Sequence, residues 1–268
     1  MPLPDTTTGN GPADVAAPVG NDSLGVLIVA AGQSRRMAGV DKIFADILGK
    51  PLIAHTVEAL QASPLVNELV LVLAPEKVPR GRSLAGDRAW TKLPPESVCA
   101  GGGRRQDSVR LGLERLSPCR WVAVHDGARP CVDADILRRG LEAASESGAA
   151  VAAVPAKDTI KVVTEGTRVE ATPLRETLWL VQTPQVFLYD ILQEAHRACD
   201  EDVTDDASMV ERLGHDVHVF MGSYANLKVT SQEDMDIAEA LLRNRSSSSS
   251  RPAPRGPKAQ GRSPTADG

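Results

Sequence analysis

Aromatic side chains are scarce in this chain of 268 residues: three Phe, three Trp and two Tyr, 3% in all. Its core must therefore be built from Val, Leu, Ile and Ala, a mix that suits a parallel sheet covered by helices on both faces. Cysteine is rare as well. Cys99, Cys119, Cys131 and Cys199 form no C-x-x-C pair, and the histidines form no H-E-x-x-H. Reduced thiols are expected, and neither a zinc site nor a disulfide framework. A basic excess is missing too: the formal net charge is -5, which excludes a global nucleic-acid footprint. No apolar run approaches ~18 residues, so no membrane span is expected. The start, MPLPDTTTGNGPADV, has no positive region followed by an apolar stretch and does not read as a secretory signal. These absences point to a cytoplasmic protein without nucleic-acid or membrane partners.

What is present is an ordinary globular composition, 42% hydrophobic and 24% charged, which is enough to build a core. The two ends stand outside it. Residues 1–23 are rich in Pro, Gly, Thr and Asp, and 244–268 are low-complexity and basic; both are expected to be disordered. In the remaining 24–243, strands are expected at 24–30, 68–74, 121–126 and 149–156, and helices at 51–62, 106–116 and 133–146. This order predicts an α/β fold with an open, mostly parallel sheet. The stretch 157–186 breaks the pattern with short alternating pieces and a turn near Glu165 and Gly166, as a projecting β-hairpin arm would. Helices at 187–199 and from Thr204, strands at 217–221 and 226–229, and a last helix at 231–242 are expected after it. Thr230 with Glu233, or Ser231 with Asp234, would cap that last helix.

Three loops after strands carry candidate chemistry. AAGQSRRMAGVDK (30–42) offers small residues for close backbone approach, amides for an anion nest, and the charges of Arg35, Arg36 and Lys42. It matches neither G-x-G-x-x-G nor G-x-x-x-x-G-K-[ST], and a solvated surface loop is the competing reading. AGGGRRQDSV (100–109) puts three glycines before a helix, with Ser108 in reach of a base or ribose; the alternative is a turn capped by Asp107. VHDGARP (124–130) ends a strand in Asp126 and adds Arg129. A carboxylate there can bind a hydroxyl or a metal, or simply cap the turn. Lys157-Asp158-Thr159, Thr204-Asp205-Asp206 and Asn226 to Thr230 are weaker candidates.

Taken in order, AAGQSRRM with its following Lys, GGGRRQDSV, VHDGARP, KDTIK, QTPQVF, TDDAS and NLKVT resemble the 2-C-methyl-D-erythritol 4-phosphate cytidylyltransferases of the non-mevalonate isoprenoid pathway, over about 24–242. The resemblance implies a Rossmann-like nucleotidyltransferase fold and a homodimer in which the arm at 157–183 hooks around the partner. It implies transfer of CMP from CTP to the polyol phosphate, with Mg²⁺ held mainly by the CTP phosphates and no metal cage in the protein. By resemblance, Ala30, Ala31, Gly32, Arg36, Lys42, Gly102, Ser108, Asp126 and Arg129 bind the nucleotide. Asp126, Arg129, Lys157, Thr204, Lys228 and Thr230 bind the second substrate, and Arg36, Lys42, Lys157 and Lys228 are catalytic, with Lys157 reaching in from the partner. Lys157 stands where some members carry Arg, and Gly127 where many carry Ala. A ribitol-5-phosphate cytidylyltransferase, differing around the arm and Thr204, and a nucleotide-binding regulator without turnover are the alternatives.

Overall fold

The computed structural model describes residues 23–32 and 41–248; the expectations for 1–22, for Arg35 and Arg36, and for 249–268 lie outside the described residues. The first half of the chain holds β1 (Leu24–Ala30), β2 (Asp46–Ile47), β3 (Lys50–Pro51), α1 (Leu52–Ala62), β4 (Val66–Leu73), α2 (Val78–Asp87), β5 (Val98–Ala100), α3 (Arg105–Leu113) and β6 (Trp121–Asp126). The second half holds α4 (Ala134–Ser147), β7 (Ala149–Pro155), β8 (Val162–Val163), β9 (Val169–Ala171), β10 (Trp179–Leu188), α5 (Tyr189–Ala198), α6 (Asp206–Arg212), β11 (His218–Met221) and α7 (Gln232–Ser248). No described helix is long and apolar enough to cross a membrane.

The main sheet runs β11-β7-β10-β6-β1-β4-β5. Every pairing is parallel except those of β10, which lies antiparallel between β6 and β7. Buried residues of β1 alternate between the two faces, as a strand's two-residue period requires. Leu24, Val26 and Ile28 join Ile53, Val57, Ile136 and Leu137 on one face. Leu27 joins Val109, Leu113, Leu192 and Met209 on the other. Each fully buried Leu or Ile stabilises the fold by ~1.5–3 kcal/mol relative to exposure. Asp133 begins α4 by accepting the Ile136 N–H at 2.9 Å, the usual role of a short acidic side chain at a helix start.

The order β5-β4-β1-β6 reverses direction of travel at β1, so a crevice opens between the carboxyl ends of β1 and β6, where open α/β sheets bind ligands. That crevice positions the site.

Several expected elements move. The arm ends sooner than 183: β8 and β9 form a small sheet of their own, but Trp179 already pairs with Pro155, and β10 continues through the sheet. The helix expected from 187 begins at Tyr189, because Val186 and Phe187 are buried sheet residues. Residues 226–229 form no strand. The last helix runs on to Ser248, past the expected boundary at 243, and is capped by Ser231 with Asp234. Helix α2 and strand β5 are additions to the expected set.

Candidate active site

The described part of the first loop, 30–32, meets the other two loops at the crevice. Asp126 stands opposite Val29 in the sheet register, and the Gly127 N–H donates to the Val29 carbonyl at 2.9 Å. A Cβ on Gly127 would lie 2.8 Å from the Ala30 Cβ and 2.9 Å from the Ile53 Cδ1. Gly127 is therefore closely fitted to its neighbours. A Cβ on Gly101 would lie 2.5 Å from the Ala31 Cβ and 2.6 Å from the Ser108 Oγ. Gly101 lets its loop approach Ala31, and Gly127 lets the Asp126 turn approach Ala30, at van der Waals distance. Ser108 accepts the Gly102 N–H at 3.2 Å, and Asp107 accepts the Arg104 N–H at 3.1 Å, so the glycine loop is both shaped and capped.

Asp126 is the electrostatic centre. Its Oδ2 lies 3.1 Å from Arg129 Nε and 3.2 Å from Lys228 Nζ. Burial works to raise the Asp126 pKa, but the charges of Lys228, Arg129 and Arg105 outweigh it and hold the carboxyl down to about 2. Arg129 is anchored further by donating Nη1–H to the Asn226 carbonyl at 2.8 Å, which fixes the segment leading to Lys228.

Behind Asp126 runs a one-way chain of hydrogen bonds. The Asp126 N–H donates to Thr183 Oγ1 at 2.9 Å, and Thr183 Oγ1 lies 3.2 Å from His125 Nδ1. His125 Nε2 lies 3.3 Å from the Arg129 carbonyl, which can only accept. The consistent assignment puts the proton on Nε2 and lets the Thr183 hydroxyl donate to Nδ1. Burial pushes the imidazole down to about 4, so it is neutral at pH 7. His125 is a bracket for the Asp126–Arg129 turn.

The other expected residues are spread along this rim. Lys42 Nζ donates to the Val229 carbonyl at 3.1 Å, next in sequence to Lys228. The Thr230 hydroxyl donates to Asp234 at 2.8 Å as part of the α7 cap. Thr204 is exposed, one residue before the Asp205 that caps α6. Lys157 stacks its ammonium over the Tyr224 ring, 3.5 Å from the centroid, at the root of the arm in its own chain. Thr183 and Arg105 belong to the site although the sequence pattern does not single them out; the signal available is their place inside QTPQVF and GGGRRQDSV. Among the described residues, no group of three or more His, Cys, Asp or Glu is gathered for a metal ion.

Comparison with known proteins finds relatives over most of the chain. The family described as IspD: 2-C-methyl-D-erythritol 4-phosphate cytidylyltransferase matches residues 24–244. The 2-C-methyl-D-erythritol 4-phosphate cytidylyltransferase of Dehalococcoides mccartyi strain CBDB1 is 48% identical over 223 residues, covering 83% of this chain and 97% of the relative. That of Geobacter metallireducens is 42% identical over 228 residues, covering 82% and 97%. The solved structure of the Thermus thermophilus enzyme of that name superposes with a TM-score of 0.65 at 35% identity, covering 81% of this chain and 98% of that one. The 4-diphosphocytidyl-2C-methyl-D-erythritol synthase of Anaerococcus prevotii gives 0.72 at 25% identity, covering 83% and 97%.

Proposed function

The chain belongs to the 2-C-methyl-D-erythritol 4-phosphate cytidylyltransferase family and transfers CMP from CTP to that polyol phosphate, releasing pyrophosphate, in isoprenoid precursor biosynthesis; we propose that it does so at the rim between β1 and β6. The observation that carries the placement is the approach of Gly101 to Ala31 and of Gly127 to Ala30, beside an Asp126 held by Lys228 and Arg129.

A phosphate monoester has its second pKa near ~6 and is largely dianionic at neutral pH. Its oxygen can attack the α-phosphorus of CTP without a base. The new P–O bond forms as the bond to the β-phosphate breaks, and pyrophosphate leaves with the electron pair. A neutral, buried His125 fits such a reaction, which asks for no proton-abstracting group. What it needs is alignment of two anions and stabilisation of the charge on the phosphoryl oxygens. Lys42 supplies the second, with Arg36, which lies outside the described residues. Lys228 and Lys157 hold the incoming phosphate. Asp126 and Thr204 accept from and donate to the polyol hydroxyls, and Gly102 and Ser108 face the pyrimidine. Lys157 stands at the root of the arm, beside Tyr224, and is assigned by that arm to the site of the partner subunit.

The donor set does not form a protein cage for Mg²⁺: the rim carboxylate, Asp126, is already bonded by two cations. A magnesium ion would accompany the CTP phosphates, where it supplies neutralisation of phosphoryl charge. The arm supports the homodimer reading. Val162, Val163, Val169, Leu174, Trp179 and Leu180 are all more than a third exposed, a concentration of apolar surface that a second copy would bury. Four free cysteines accord with a reducing cytoplasm.

Pyrophosphate release from CTP, measured in parallel with 2-C-methyl-D-erythritol 4-phosphate and ribitol 5-phosphate, tests the substrate. Turnover is expected with the first. Preference for ribitol 5-phosphate, or CTP binding without release for either, would overturn it.

A further inference from the structure

The first turn of α3 does more than shape the nucleotide loop. Three consecutive side chains there, Arg104, Arg105 and Gln106, reach the segment 200–206 that carries Thr204. Arg104 Nη1 donates to the Asp200 carbonyl at 2.8 Å and to Asp202 Oδ1 at 3.2 Å. Gln106 is buried and uses both ends of its amide: Nε2 donates to the Glu201 carbonyl at 2.9 Å, and Oε1 accepts the Val203 N–H at 3.3 Å. Arg105 Nη1 donates to Asp206 Oδ2 at 2.5 Å, and the other oxygen of this fully buried carboxylate lies 3.2 Å from His196 Nε2. From the opposite side, Gln185 of β10 donates to Asp205 Oδ2 at 2.7 Å. Residues 200, 201, 202, 203, 205 and 206 are thus each gripped, and exposed Thr204 is presented between them.

We propose that Gln106, flanked by Arg104 and Arg105, is a positioning residue that fixes the Thr204 segment to the nucleotide loop before the polyol phosphate arrives. The proposal rests on the reading of Thr204 as a polyol contact. Fixing a backbone segment costs conformational entropy for each residue ordered. With the segment already held by α3, that cost is met on folding; without the clamp it falls on polyol binding and raises KM for that substrate. The turn of α3 that carries Gln106 also carries Ser108, so both substrate subsites are set by one rigid element.

The test uses the full-length protein with Gln106→Met, which keeps the side-chain volume and loses both bonds, and Arg104→Ala, an exposed position that keeps the experiment open should the buried variant fold poorly. At saturating CTP, KM for 2-C-methyl-D-erythritol 4-phosphate should rise roughly five- to tenfold in Gln106→Met and by less in Arg104→Ala, as loss of one or two hydrogen bonds allows. KM for CTP and kcat should stay within about twofold. Amide exchange over 200–206 should quicken by about tenfold or more while that of β6 is unchanged. A parallel rise in both KM values, or unchanged exchange, overturns the proposal. Thr204→Val separates it from the reading beneath it. If Thr204→Val raises polyol KM and neither clamp variant does, the clamp is refuted and the Thr204 contact stands. If Thr204→Val leaves polyol KM unchanged, the Thr204 contact is refuted and the clamp's role falls with it.

Discussion

Lys228 reaches back across the rim to Asp126, its Nζ 3.2 Å from Oδ2, on the oxygen that also receives Arg129. The carboxylate therefore spaces two cations that would otherwise repel, and holds both at the rim.

Asp126→Asn should lower activity and stability together. It leaves two cations without their counter-charge, one of them the mostly buried Arg129, and loss of one partner from a buried pair costs about 3–5 kcal/mol. The amide still accepts a hydrogen bond, so the low end is expected, read as a fall in thermal midpoint beside a raised KM for the polyol phosphate. Because the folded pKa is depressed to about 2, the stability that Asp126 confers is present above its unfolded value of ~3.9 and is lost progressively as pH falls from there through about 2. Titration of this carboxyl should thus be invisible between pH 5 and 8. A midpoint unchanged by the substitution would contradict the ion-pair account.

Lys42→Ala should lower kcat by at least ~10²-fold, as loss of a charge-stabilising donor does. The fold loses the side chain's bond to the Val229 carbonyl, and a single such bond contributes about 0.5–1.5 kcal/mol, so the midpoint should fall only modestly. Steady-state kinetics with both substrates saturating is the check, and an unaltered kcat refutes the role.

Lys157→Ala should chiefly raise KM for the polyol phosphate. Its place at the root of the arm makes a definite forecast for mixed subunits. When Lys157→Ala and Lys42→Ala chains are combined, hybrids carry one intact site of two, and activity should recover toward roughly a quarter of the normal rate. Absence of recovery would instead assign Lys157 to the site of its own chain.

His125 should make the protein acid-labile. Its pKa is about 4 in the fold and ~6.5 in an unfolded chain. Between those values the unfolded state binds a proton that the folded state refuses, so stability rises with pH across that window and falls on acidification. The gap corresponds to about 3 kcal/mol lost by pH 4. Denaturant titrations at pH 7, 6, 5 and 4 should show the slope, and His125→Gln should flatten it.

Much of the fold is legible in sequence because local pattern and burial coincide. β1, β6 and β7 are nearly all apolar and sit inside the sheet as read. The ordered motifs lead to Asp126, Arg129, Lys42 and Lys228, which the fold brings to one rim. β10 misleads because Gln182, Thr183 and Gln185 are polar, as an edge or an arm would be. They are buried nonetheless, since their partners come from Asn226, His125 and Asp205, remote in sequence. Local alternation cannot register a hydrogen-bond partner 20 to 58 residues away. Helix α2 is hidden for a related reason. Gly81 weakens its helical signal, yet a Cβ there would lie 2.4 Å from Leu73 Cδ1, so the glycine serves close packing on the sheet. Residues 226–229 look like a strand and are instead pinned by Arg129 and by the Val229 N–H bond to the Ala128 carbonyl at 2.8 Å.

The reversed direction of β10 has a mechanical corollary. Trp179 begins it at the foot of the arm, and Thr183, four residues on, is bonded to the Asp126 amide. At ~3.3 Å per residue the two are separated by no more than about 13 Å of strand. A load on the arm would therefore reach the Asp126 turn through four residues of strand and one hydrogen bond.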